Sequence, residues 1–403
     1  MLSGRRRVSP KLEAEPAAFT LSSLRLFSMS SATHVPFWLA AFACALAAGR
    51  AASHQPEPPP LPGWSWSAAL EMGVGYRDNL LLSSTAEERS GFLHAAAEVL
   101  LLRMPGRGLE SAFFLQTEGR RFWSGRTVHH EASAWLQGEP AWRPARGWKW
   151  SLPVSAYYDD RVLDVSDTEV ERLIAETRLT GLLAGPQVRW DFADRWHVET
   201  QVAGDRVRHE DGVNDAEVIR GLFRIGWRPA PAWEGKVSLW QRERAYARRV
   251  QYSAAGRPLL GTRLRFAETE GELSVSFRWG PGERWRTTGR MGGRRLGDNG
   301  SGYFGHREWR GEPQLEWSDD RWKIRAEAGL RELHFGVQTV GLGIDPPARW
   351  RTELSGSLRA ERHLTGDWAL IAVVSQEWVR SNDPLGAYRV NEGLLALRRG
   401  WER

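Results

Sequence analysis

Trp279-Gly280-Pro281-Gly282-Glu283-Arg284-Trp285 sets two tryptophans six residues apart around a five-residue turn. Pro fixes φ and Gly takes positive φ without steric cost, so both end strands and make turns. Away from the turn, each Trp opens a run that alternates polar and apolar. This is the pattern of a hairpin whose two legs carry a Trp at one height. The spacing recurs at Trp142/Trp148 around RPARG, Trp190/Trp196 around DFADR and Trp227/Trp233 around RPAPA. Trp317/Trp322 around SDDR is one residue tighter. Repeated along a chain, such pairs make a row of Trp at one level of a meandering sheet. A membrane-spanning barrel needs that row, because indole rings favour the membrane–water interface. The rival reading is a soluble all-β protein with Trp in its core.

Strand length decides between them. Trp64, Trp66, Ala68, Leu70, Met72, Val74 and Tyr76 alternate with small or polar residues, so one face is greasy and ends in aromatics. Trp148–Tyr158 and Trp368–Trp378 repeat the pattern. The aromatic-to-aromatic spans 66–76, 148–158 and 368–378 each cover ten steps. At roughly 3.3 Å per residue and a tilt of about 45°, ten steps rise about 23 Å. The apolar band of an outer-membrane barrel is about 25 Å tall, whereas soluble strands average about 5–6 residues. The chain therefore reads as all-β, a transmembrane antiparallel up-and-down β-barrel.

The other face is charged. Glu308, Arg310, Glu312 and Glu316 alternate with Trp309, Leu315 and Trp317. Lys323, Arg325, Glu327 and Arg331 follow on the next run, then Arg351, Glu353, Arg359 and Glu361. A modest soluble barrel could not bury so many charges, but a water-filled lumen holds them. These twelve residues are the expected pore lining. With Trp317 and Trp322 in register, Glu316 would face Lys323 and Gln314 would face Arg325. The expected interface belt is Trp142, Trp148, Trp190, Trp196, Trp227, Trp233, Trp279, Trp285, Trp317 and Trp322.

Runs of this kind number sixteen, beginning at 64–76 and ending at 388–401, with fourteen or eighteen open where 124–127 and 181–185 blur the pattern. Short turns follow the even runs and longer loops mostly follow the odd ones. An even count puts both ends of the barrel on the periplasmic side.

Upstream, Val35–Gly49 is an apolar run of 15 residues followed by small residues, the form of a secretory signal. It is too short to span a bilayer comfortably as a helix. Residues 1–52 thus read as a leader, 53–63 as a Pro-rich periplasmic spacer and 64–403 as the barrel. Cys44, the chain's one cysteine, falls in the leader, which leaves no thiol for disulfides or metal sites. The net charge is +6, but 1–52 holds six basic against two acidic residues, and the rest carries 49 against 47. Those charges are interleaved along every strand. Nucleic acid is therefore excluded, since it would need a concentrated basic face.

Catalytic constellations are scarce. His129-His130-Glu131 puts its two His on opposite strand faces, a poor metal pair. Asp159-Asp160 with Asp164, Asp167, Glu169 and Glu171 reads as one acidic loop, and His209-Glu210-Asp211 with Asp215 as another. Acidic loops are usually solvated or bind divalent cations loosely. Phosphate loops, nucleophile elbows and zinc spacings do not occur. The chain reads as a non-enzyme with no cofactor.

The first run ends GVGYRDNLLLSS (Gly73–Ser84). This resembles the opening of outer-membrane β-barrel porin families, in which a first strand ending Gly-Tyr is followed by Asp-Asn and an apolar residue. Gly75, Tyr76, Asp78, Asn79 and Leu80 match, with Arg77 between. The resemblance is otherwise architectural, over roughly 64–403. Such barrels commonly end on an aromatic residue that the barrel-assembly machinery reads, whereas here Trp401 stands third from the end. The expected function is a porin-like diffusion channel for small hydrophilic solutes in a Gram-negative outer membrane, in contact with its lipid. The alternatives are an export or assembly pore for polysaccharide or surface lipoprotein, and a non-conducting structural or adhesive barrel. The sequence specifies no oligomeric state.

Overall fold

The structure, a computed structural model, describes residues 63–106, 108–164, 174–341 and 343–402. The leader and all of the spacer but Gly63 lie outside the described residues. The first strands are β1 (Trp64–Arg77), β2 (Ser90–Gly106), β3 (Leu109–Phe122) and β4 (His130–Trp142). Next come β5 (Trp148–Ser151, continuing as Val154–Asp164) and β6 (Ile174–Ala184, continuing as Gln187–Ala193). Then follow β7 (Trp196–His209), β8 (Ala216–Ala230), β9 (Trp233–Tyr246), β10 (Arg265–Trp279) and β11 (Trp285–Asp298). The last are β12 (His306–Ser318), β13 (Trp322–Thr339), β14 (Ala348–His363), β15 (Trp368–Ser381) and β16 (Tyr388–Glu402). Each strand pairs antiparallel with its sequence neighbours. β16 then pairs with β1, from Ser67↔Glu402 to Arg77↔Glu392, so the sheet closes as a sixteen-stranded barrel without free edges.

Two strands are interrupted for one reason. Pro140, Pro153 and Pro186 lie side by side on β4, β5 and β6, and proline has no N–H for the ladder. Their carbonyls still accept, from Leu152 N at 3.0 Å, Gly185 N at 3.2 Å and Val202 N at 3.2 Å. The sheet therefore crosses the gap. Gly185 is required there, because a Cβ would stand 2.1 Å from the Val202 carbonyl oxygen.

Connections of two to five residues join β2 to β3, β4 to β5 and so on around one rim, while those at the other rim run from six to eighteen. Asp159 and Asp160 prove to be strand residues of β5 and not a loop, since the strand runs on through them to Asp164. Of the rest of that acidic run, Asp167, Glu169 and Glu171 lie outside the described residues.

The surface is inverted relative to a soluble protein. Met72, Leu182, Ile219, Val237, Met291 and Val374 are exposed in mid-strand, whereas the bulkiest fully buried side chain is Arg351. Water would disfavour both arrangements, and lipid outside with polar partners inside favours both.

Candidate channel lining

The outer face at the short-turn rim carries the tryptophans that bracket the turns. Trp148 stacks on Trp190 (5.4 Å between rings), Trp196 on Trp227 (5.7 Å) and Trp279 on Trp285 (5.3 Å). Trp285 also meets Trp317 at 6.3 Å, and Trp233 stacks on Phe277 at 4.8 Å. Trp142 and Trp322 are exposed on the same rim. Only the pair around GPGER sits on one rung, Trp279↔Trp285. Elsewhere the partners differ from the expected ones: Trp142↔Trp150, Trp190↔Val198, Trp227↔Gly235 and Trp317↔Ile324. The bracketed segments often turn on fewer than five residues, such as Pro231-Ala232, which moves the register. The rings then meet across the other side of their strands, Trp148↔Trp190, Trp196↔Trp227 and Trp285↔Trp317.

All twelve expected lining residues occupy interior positions of β12, β13 and β14, opposite in parity to Trp309, Leu330 and Leu358. They join a lattice that runs beyond those strands. Arg242 on β9 donates to Glu268 on β10 at 2.7 Å. Glu308 accepts from Arg294 and, at 2.6 Å, from Arg331. Arg331 also donates to Glu353 at 2.9 Å, and Arg351 lies 2.9 Å from the same carboxylate. Nearer the short turns, Lys323 stands 3.5 Å from Glu316, and Arg325 donates to Gln314 at 3.3 Å. Those two contacts are diagonal, because the rung partners are Ser318↔Lys323 and Glu316↔Arg325. Arg325 is also paired with Glu327. Arg359 reaches Glu71 at 3.2 Å and Glu361 at 3.9 Å.

Arg310 reaches past β11 to Glu270 and, at 2.6 Å, Glu272 on β10. Its rung neighbour on the intervening strand is Gly292, which presents no side chain in the way. Glu312 stands 3.7 Å from Arg290. One expectation needs correction: these charges are not uniformly bathed in water. Glu308, Arg351 and Glu353 are buried, because arms from neighbouring strands fold over them.

Other interior groups escaped the sequence reading. Trp135 and Trp240 point inward, unlike the belt. Trp135 stacks on Tyr157 at 5.3 Å, and Arg242 lies 5.3 Å over the Trp240 ring. Parity could have found them, since Trp135 shares its strand face with Glu131, Ser133 and Gln137. Tyr157 lies across Gly181, whose missing Cβ would stand 1.9 Å from the ring, and its hydroxyl donates to Asp205 at 3.2 Å. Asp160, from the acidic stretch, lies 3.0 Å from Arg178 and 3.4 Å from His130. Among the described residues no cluster of three His, Cys, Asp or Glu is placed to hold a metal.

The long-loop mouth is narrowed by the loop after β1. Asn79 donates to the carbonyls of Ser83 (2.8 Å) and Arg389 (3.0 Å) and accepts from Ser83 N (3.1 Å). Asp78 accepts from the backbone and side chain of Asn391 on β16. So pinned, Leu80 and Leu82 drop inside and cluster with Phe92, Phe122, Val128, Val379 and Tyr388. The Asp-Asn-Leu of the opening motif thus folds the first loop into the barrel. Below the mouth, a cavity of about 410 Å³ opens along the β11–β16 wall, lined by Arg290, Gln314, Ser355, Ser357, Ser375 and Glu392 among others.

Closure, a lipid-type outer face, stacked tryptophans at one rim and a charged interior define the class: this is a transmembrane antiparallel β-barrel. No family model and no curated protein matches the chain. Among solved structures it is similar to Pseudomonas aeruginosa OpdQ, at 7% identity and TM-score 0.47 over 85% of this chain and 100% of that one. It is also similar to Acinetobacter baumannii OccAB3, at 6% identity and TM-score 0.46 over 84% and 99% of the two chains. Pseudomonas aeruginosa OccK8 (OprE) gives 8% identity and TM-score 0.46 over 84% and 98%.

Proposed function

We propose that the chain is a porin-like diffusion channel for small hydrophilic solutes, seated in the outer membrane of a Gram-negative bacterium. The observation that carries this is the polar cavity inside a barrel whose outer face is apolar. A barrel of about sixteen strands is wide enough for an aqueous channel. The twelve charged residues on β12–β14 would set charge preference, and the ten belt tryptophans would hold the barrel's depth in the lipid. The short-turn rim would face the periplasm, with insertion through the barrel-assembly machinery. The test is conductance of the purified barrel in planar bilayers. Discrete ohmic steps in KCl are expected. A folded barrel that inserts without conducting would overturn the proposal. That result would favour the second reading, a closed structural barrel, which the apolar cluster around Leu80 and Leu82 in the mouth supports.

A further inference from the structure

We infer that the cavity on the β11–β16 wall is a binding site for a neutral polyhydroxylated solute, of the size of a mono- or disaccharide. The inference rests on the channel reading above and names the solute class that the channel takes.

The rungs place the polar groups together. Thr288 pairs with Gln314, Gln314 with Glu327, Glu327 with Ser357, Ser357 with Ser375, and Ser375 with Glu392. One pairing row thus crosses six strands with interior side chains that are hydroxyl, amide or carboxylate. On the next interior row, Gly329 faces Ser355. A Cβ at Gly329 would stand 2.4 Å from the Ser355 hydroxyl, so the wall is pared back there to backbone and Ser. The arms on either side are long, Arg310 and Arg331 towards the mouth and Arg325 towards the short turns. The result is a recess of about 410 Å³. Small-molecule sites measure roughly 300–1,000 Å³ and fix orientation with a few convergent polar groups.

The charges around the recess argue for a neutral occupant. Glu308 and Glu353 are engaged by Arg331, and Arg310 by Glu270 and Glu272. Glu327 is engaged by Arg325, and Glu392 by Arg120 at 2.8 Å. Glu312 faces Arg290 at 3.7 Å, and Glu377 accepts from the neutral Tyr388 hydroxyl at 2.7 Å. Except for a cation at Glu377, an ionic solute would have to displace an ion-pair partner and leave a charge uncompensated. A hydroxyl group need not. Each carboxylate oxygen keeps lone pairs beyond those it uses, and each Ser hydroxyl both donates and accepts. Adjacent sugar hydroxyls, donors and acceptors a few ångströms apart, match a row of Ser, Gln and Glu at strand spacing.

The test titrates maltose and glucose against the KCl current of the purified barrel in planar bilayers, with gluconate as the charged control. Maltose is expected to lower the current saturably and to do so more tightly than gluconate. Ser357→Leu with Ser375→Leu fills the recess and removes two hydroxyls. The pair should weaken the maltose effect by about tenfold or more, while heat-modifiable gel mobility still reports a folded barrel. The wild-type titration decides even if that variant fails to fold. A KCl current that falls only as solution viscosity rises would overturn the inference and leave the channel reading standing, as would tighter block by gluconate. Absence of any KCl current would remove the channel reading and this inference with it.

Discussion

Glu308→Gln and Glu312→Gln remove the same charge from interior positions of β12 four residues apart, yet the structure sets them far apart in consequence. The Glu308 side chain is 4% exposed and accepts from two guanidinium groups, Arg294 and Arg331, themselves 5% and 12% exposed. Breaking a buried ion pair from one side costs about 3–5 kcal/mol, because the remaining charge is left uncompensated. Gln keeps one acceptor oxygen and recovers about 1 kcal/mol of that. A net loss of about 2–4 kcal/mol is expected for Glu308→Gln. Glu312 is 40% exposed and stands 3.7 Å from Arg290, which is 38% exposed. Solvated pairs of this kind contribute about 0–1 kcal/mol, so Glu312→Gln should scarcely move stability. Urea unfolding of the barrel refolded into lipid vesicles, read by Trp fluorescence, measures both. The reversal potential in asymmetric KCl supplies an independent readout, and both variants should shift it towards anions. Equal stability losses in the two variants would refute the claim that burial of the lattice, and not its charge count, stabilises the wall.

Asn79→Ala removes three hydrogen bonds that hold the first loop inside the mouth. Unitary conductance should rise and trypsin should cut at Arg89; unchanged conductance and continued protection would mean that Leu80 and Leu82 hold the loop unaided. Trp279→Ala with Trp285→Ala deletes a stacked pair worth about 0.5–1.5 kcal/mol beyond its buried area. Quenching of Trp fluorescence by lipids brominated near the headgroup should fall, and undiminished quenching would place those rings away from the interface. In the turn after β12, Asp319 accepts from the backbone N–H groups of Arg321 and Trp322, each at 2.7 Å, which holds its carboxyl below the ordinary carboxylate value of 3.8. A carboxyl lowered on folding stabilises the barrel above its unfolded value, and that contribution is lost as pH falls through the folded value. The urea midpoints of wild type and Asp319→Asn should therefore converge as pH drops from about 5 to about 3; a constant gap would exclude this cap.

The sequence reveals what depends on a period of two and hides what depends on reach. Parity is local. Each strand alternates against its own turn residues, so the interior of Glu308, Arg325 and Glu353 and the exterior of Leu315, Ile324 and Leu358 can be read without knowing any neighbour. Strand ends are marked where Trp meets Pro, Gly or Asp, which is why sixteen runs emerge within a few residues of their observed bounds. Register is a property of turns. GPGER keeps its five residues out of the ladder, and Trp279 meets Trp285, whereas RPAPA pulls its first three into β8 and moves Trp227 opposite Gly235. Nothing in the bracket length distinguishes them beforehand. Partner choice in the lumen is further from local still. Arg310 bypasses the carboxylates of its own strand for Glu270 and Glu272 because the strand between offers Gly292, and Arg359 reaches past two strands to Glu71. The first loop is the extreme case. Asp78 and Asn79 read as a motif, but their partners, Asn391 and Arg389, stand more than 300 residues away and become neighbours only when β16 closes on β1. The closing seam therefore both completes the wall and positions the loop that narrows the mouth, so a barrel that fails to close cannot narrow it.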